Sequence, residues 1–350
     1  MGDRVLRARD LNRALLARQF LLERSTVPLA RALESLGGLQ TQYAPSAYIG
    51  LWSRLRDFRR DALTEALEQR SAIQATLMRG TIHTVAAADF PLFSAGLRDG
   101  RREWWLRVQR HQVEGPDMEV VAGLLREQLA RGPRRANDLK DLLSAGGFPS
   151  IVWSGAGLWL EMVRVPPSGT WKQRRADLYG LADDWLGARH ATEASGIERL
   201  VGRYLGGFGP APLNDVANWA GLPVSRILPA VQRLGLVRYR DERGGDLLDL
   251  PDAPLPPPDT PAPVRFLPTW DATLLAHARR TQILPESYRP LVFNTRNPHS
   301  VPTFLVDGAV AGTWRYDSGR VRLEPFERLS AATRRELEDE AQSLTEFHGD

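Results

Sequence analysis

One eight-residue pattern occurs twice in this 350-residue chain. Residues 132–139 read GPRRANDL, and residues 209–216 read GPAPLNDV. The copies share G-P-x-x-x-N-D followed by Leu or Val. Each follows a run with helical periodicity (118–131; 197–205) and opens another helix. Such a repeat implies one structural unit used more than once, which constrains the fold more tightly than composition does.

The second copy continues legibly. Residues 213–220 form a short helix, Gly221 and Pro223 make a turn, and 224–234 form a helix with Ile227, Leu228, Val231 and Leu234 at helical spacing. LGLVRYRDERGGDLLDL then reads as two short strands around Gly244-Gly245. Three helices and a hairpin make a winged helix. The first copy continues alike, with a helix over 150–162 and a wing in VRVPPSGTWKQRRADLYGL. A third unit is expected in the N-terminal third. It has helices over 9–24, 28–36 (Thr26 as N-cap), 47–58 and 60–69, then the hairpin AIQATLMRGTIHTVA turning at Arg79-Gly80.

The expected organisation is therefore α+β: three tandem winged-helix units (1–112, 113–189 and 190–250), a proline-rich extended spacer (251–263) and a small β-barrel or sheet domain (264–350). Its strands are expected in PVRFLP, RPLVFN, PTFLVDGAVAGTWRY and GRVRLEP, with Asp307-Gly308 as a two-residue hairpin turn and a closing helix over 330–345.

Several chemistries are excluded. Cysteine is absent, which removes disulfides, thiol nucleophiles and Cys-ligated zinc. The six histidines never pair at i, i+3 or i, i+4 spacing, so no metal site is expected. Neither a Walker sequence nor a G-x-S-x-G elbow is present, and Gly206-Gly207-Phe208-Gly209 precedes a proline rather than opening a helix after a strand. No apolar run approaches the ~20 residues of a membrane span, and the N-terminus lacks an apolar signal core, so a cytoplasmic protein is expected. The net charge is +4, and of the 46 basic residues only Lys140 and Lys172 are lysines. Arginine forks suit phosphate and base edges, although a GC-rich genome would enrich arginine without any such role.

The chemically suggestive stretch is LGGLQTQYAPSAY. Gly37-Gly38 stops the preceding helix and Pro45 disfavours helical geometry at Ala44, so Gln40 and Gln42 fall on an extended loop. Residues two apart point to the same side of such a segment. Two amides can hold one water and aim its lone pair, and their carbonyl dipoles can stabilise positive charge, but they cannot remove a proton efficiently. Hydrolysis of an N-glycosidic bond to an N7- or N3-alkylated purine fits this, because the cationic base leaves without a general acid and the sugar becomes oxocarbenium-like. The alternative from these residues alone is that both amides cap neighbouring backbone.

With LMRGTIH (77–83) and the PTFLVDGAVAGTWR hairpin, Gln40-Thr41-Gln42 resembles the AlkZ-like winged-helix DNA glycosylases over about residues 9–344. Here Gln42 stands where a second subgroup of that family carries aspartate. The resemblance implies a concave DNA-binding surface and monofunctional base excision without metal or cofactor. The expected catalytic residues are Gln40 and Gln42, acting on double-stranded DNA containing alkylated purines, in repair or self-resistance, as a monomer. The competing reading is a non-catalytic winged-helix regulator. Candidate DNA contacts are Arg79 and His83 on the first wing, Lys172, Arg174 and Arg175 (with Trp171 and Tyr179) on the second, Arg279 and Arg280, and Arg296 and His299 in the loop before Val301. Asp271 reads as a helix N-cap or a spare base. Trp104-Trp105, among Arg101, Arg102 and Arg107, read as buried between the first two units or as stacking on DNA.

Overall fold

The computed structural model describes residues 4–112, 117–294 and 299–349. Three units share one topological signature. Between two of its helices, each places a short extended segment that pairs with the return strand of its own hairpin. Arg134–Arg135 pairs antiparallel with Leu178–Leu181, Ala211 bridges Leu248, and Leu39–Gln40 pairs with Ile82–Ala86. The repeat's Gly-Pro thus marks where the chain leaves a helix and enters this segment, since proline cannot continue the helix. In the first unit Gly37 (φ +70°) and Gly38 (φ +82°) do the same after the helix Leu29–Ser35. Left-handed backbone at both positions is accessible to glycine at low cost.

The hairpins of the first two units join into one six-stranded sheet. Its spatial order is Leu39–Gln40, Ile82–Ala86, Ala72–Thr76, Met162–Arg164, Leu178–Leu181, Arg134–Arg135. The seam is the single pair Gln74 and Arg164. In the third unit, Val237–Asp241 pairs with Asp246–Asp249 on one side and, parallel, with Val5–Leu6 on the other.

A 20-residue helix, Phe90–Gln109, ties the first unit to the helix Glu193–Phe208 of the third. They meet at glycines. A Cβ on Gly196 would lie 2.3 Å from the Leu92 carbonyl oxygen, and one on Gly96 would lie 2.6 Å from the Gly196 carbonyl carbon. Only hydrogen fits at this crossing. Next to it, Phe93, Tyr204, Phe208 and Trp219 pack edge-on and tilted against one another in the main core.

Several expectations are corrected. The first helix is Ala8–Arg18, not 9–24; Phe20 takes φ +55°, and the Gln19 amide donates to Gly207 O at 2.9 Å, so a tertiary contact ends the helix early. Thr26 caps nothing, because the helix begins at Leu29 behind Pro28. RPLVFN is one helical turn, Arg289–Val292, followed by only two extended residues. Pro290 stands in that turn, where a missing N–H breaks no helical bond. The C-terminal sheet is open rather than a closed barrel, in the order Arg265–Leu267, Thr303–Val306, Ala309–Asp317, Arg320–Pro325. Asp307-Gly308 turns its central hairpin with φ of +47° and +80°. The helix Ala331–Gly349 covers it, with Leu337, Leu344 and Phe347 in one cluster with Phe266, Phe304 and Trp314.

The proline-rich segment is extended but docked. Proline-rich backbone keeps its carbonyls and loses donors, and the first helix supplies them: Arg9 Nε to Pro258 O at 3.0 Å, Arg13 Nε to Thr260 O at 2.6 Å and Arg18 Nε to Pro254 O at 3.1 Å. Arg18 also forms a fully buried two-bond pair with Asp249 at 2.6 and 2.8 Å. Among the described residues no helix is long and apolar enough to cross a membrane.

Candidate functional site

The two glutamines lie where the extended segment of the first unit gives way to the helix Pro45–Arg54. Gln40 is opposite His83 in the ladder, and the next ladder bond is Thr41 N–H to Ile82 O at 2.7 Å. There the backbone leaves the sheet, and the Gln42 side chain takes over: Ile82 N–H donates to its Oε1 at 2.8 Å. Gln40 Oε1 accepts from Arg79 Nη2, also at 2.8 Å. Both partners can only donate, which fixes the orientation of both amides. Each oxygen keeps one lone pair, and each NH₂ has no protein partner among the described residues. Gln40 is buried and Gln42 exposed, so the pair spans the boundary between sheet and surface.

The capping alternative holds for Gln42 and not for Gln40, whose partner is the Arg79 side chain. Gln42 does cap a backbone amide, yet its remaining lone pair and both hydrogens stay available. A water donating a hydrogen to either carbonyl oxygen would keep its own lone pairs free for attack.

Arg79 sits at φ +53° in the wing turn and also donates to Trp219 O of the third unit at 3.2 Å. Burial, followed by the nearby Arg280, lowers its pKa to about 10, so it remains a cation at neutral pH. His83 faces the interior at 3% exposure, with Nδ1 3.0 Å from Thr81 O. Burial, then Arg79, pushes its pKa down to about 3, so it is neutral and does not reach the surface for groove contact.

The second wing leans over the glutamine loop. Arg174 Nη1 donates to the Tyr43 hydroxyl at 2.9 Å and lies 5.8 Å from the centre of that ring. Tyr43, 42% exposed and adjacent to Gln42, is a surface aromatic the sequence reading passed over. Lys172 and Arg175 are exposed beside it, Arg175 paired with Asp177 at 3.1 Å. On the other side, Arg279 is exposed, 3.8 Å from Asp241, and half-buried Arg280 packs 5.0 Å from the Phe293 ring centre. Arg296 lies outside the described residues, and His299 is a strand residue paired with Asn294.

Asp271 is no spare base. It accepts from Thr273 N–H at 3.0 Å as an N-cap and pairs with buried Arg54 at 2.8 Å. Trp105 is buried, its indole N–H on Ser154 Oγ at 2.9 Å in the second unit, while neighbouring Trp104 is 46% exposed.

The family model described as DNA glycosylase AlkZ-like matches residues 33–347. The solved structure of the Streptomyces sahachiroi DNA glycosylase AlkZ is similar with a TM-score of 0.82 and 18% sequence identity, over 99% of this chain and 97% of that one. At that identity the likeness speaks for the fold. No curated protein matches the sequence. With nearly its whole length matched by one family model, the chain belongs to the AlkZ-like DNA glycosylases.

Proposed function

We propose that this DNA glycosylase hydrolyses the N-glycosidic bond of alkylated purines, N7-alkylguanine and N3-alkyladenine, with Gln40 and Gln42 orienting the attacking water. The observation that carries the reading is the anchoring of both amide oxygens by pure donors, with no carboxylate among their partners in the described residues. Such a pair orients water without deprotonating it. That suffices where the leaving base is already cationic and bond cleavage runs ahead of attack.

Arg79 has two consequences. It holds the Gln40 amide in register, and it places a positive charge near a centre where an oxocarbenium ion would form. A DNA phosphate over Arg79 would offset that charge. Gln42, exposed and bonded to a neutral amide, is the better group to face the developing cation. Gln42 and Tyr43 lie on an open surface, which supports access by bulky adducts, including crosslinked purines. We read the pair as placing the chain with the Gln-x-Gln enzymes of its family, in repair or self-resistance, acting as a monomer without metal or cofactor. Lys172, Arg175 and Arg279 supply exposed cations for phosphates.

Incubation with duplexes carrying N7-methylguanine or N3-methyladenine tests this. Free modified base and an alkali-labile abasic site are expected; neither product, from these duplexes or from one with a bulkier N7 adduct, would remove alkylpurines as the substrate.

A further inference from the structure

Beside the first wing, and sharing Arg79 with the glutamine site, lies a cavity of about 530 Å³ between the helix Phe90–Gln109 and the second unit. Its volume is within the usual range of small-ligand sites. Its lining is unusual in charge. Arg79, Arg98, Arg101 and Arg164 all face it, with Glu161 the one carboxylate in the lining. Glu161 is already taken by Arg98 and by Ser94 Oγ at 2.7 Å. That leaves three arginines with no carboxylate partner among the described residues.

Two of them are costly to hold there. Arg164 is 6% exposed, donates to the Tyr179 hydroxyl at 3.0 Å and has an unpartnered Nε. Arg101 also has an unpartnered buried Nε and donates no hydrogen bond among the described residues. Its position is set by two glycines: Cβ atoms on Gly80 and Gly221 would come within 2.5 and 3.0 Å of its guanidinium. Burial lowers the pKa of both. Desolvated cations without counter-charge are stabilised by an incoming anion. The same lining offers aromatic faces: Trp104 lies 5.3 Å from Arg101, Tyr179 lies 4.7 Å from Arg164, and Trp153 packs on Tyr179.

We propose that this cavity binds a nucleotide unit, its phosphate on Arg101 and Arg164 and its ring against Trp104. The occupant is a nucleotide of the DNA strand adjoining the lesion or, with the same chemistry, a free nucleotide. This rests on the reading of the protein as acting on DNA, and it adds a contact that the glutamine loop does not make.

The test compares wild type with Arg101→Gln, Arg101→Lys and Trp104→Ala, folding being checked by circular dichroism. Equilibrium binding to an undamaged 20-base-pair duplex is measured across salt concentration, and dGMP is titrated against tryptophan fluorescence. Each phosphate contact contributes about 0.9 to the slope of log K against log salt. If DNA is the occupant, Arg101→Gln lowers the slope by about one, Arg101→Lys retains it, and Trp104→Ala weakens binding about five- to a hundred-fold, as loss of one stacked base does. An unchanged slope, with dGMP quenching wild type but not Arg101→Gln, supports the site with free nucleotide as occupant. An unchanged slope and affinity in all variants, without dGMP quenching, overturns it. Base release from an N7-methylguanine duplex, measured in parallel on wild type, separates the two readings: its absence would sink the alkylpurine assignment without touching the salt slope.

Discussion

Gln42 lends a side-chain carbonyl to a strand ladder at the point where the backbone turns away. One residue thus closes the sheet and presents an amide to the surface. Arg79 plays a parallel part for Gln40 through a bond between two elements. His83, opposite Gln40, carries a prediction of its own. Its folded pKa of about 3 lies below the ordinary 6.5, so the unfolded chain binds the extra proton between those values. Stability from this residue is complete above pH 6.5 and is lost as pH falls toward 3, by about 1.4 kcal/mol per unit. Urea unfolding at pH 7.5, 6 and 5 should show a decline that is shallower in His83→Asn. An equal decline in both would mean that the imidazole is not held neutral.

At the scale of elements, the helix crossing at Gly96 and Gly196 makes the sharpest demand. Gly196→Ala sets a methyl against the Leu92 carbonyl and Gly96 backbone, none of which can swing aside. The expected loss is about 1–3 kcal/mol, read as a lower urea midpoint at unchanged slope; wild-type stability would show that the helices can part freely. Elements bounded by local signals were the readable ones. The helix Leu213–Ala220 has Pro212 before it and Gly221 at φ +74° after it, and the sequence expectation matches its bounds. Gly37-Gly38 likewise exposed the start of the glutamine loop. Where long-range contacts decide, local pattern fails. The first helix ends where Gln19 meets Gly207, and two wings fuse through the single pair Gln74 and Arg164. The candidate site divides in the same way: spacing and the double glycine marked the two glutamines as a pair on one segment, the family resemblance gave them their expected role, and their partners Arg79 and Ile82 stand about 40 positions away, beyond the reach of local pattern.

Across the whole molecule, the wings and the proline-rich segment hold the units in one arrangement. Arg18–Asp249 joins the first helix to the third wing, and Arg54–Asp271 joins the first unit to the turn that follows the strand Arg265–Leu267. Asp271→Ala would leave Arg54 charged and unpaired in the interior, costing about 3–5 kcal/mol, visible as loss of cooperative unfolding or of soluble protein. A stability within about 1 kcal/mol of wild type would mean that water or another group takes the carboxylate's place. On the outer surface, Lys172→Gln should lower the salt slope of DNA binding by about one, as for a lost phosphate contact; an unchanged slope would put the second wing away from the duplex.

The proposed reaction centre is the pair Gln40 and Gln42. Single-turnover release of N7-methylguanine from duplex DNA, at protein concentrations that saturate binding, tests it most directly. Gln40→Ala and Gln42→Ala should each slow release by about a hundred-fold or more, the scale of losing one preorganised transition-state contact, while DNA affinity stays near wild type and Gln42 matters more. Release at the wild-type rate from both variants would move the chemistry away from this loop to another part of the molecule.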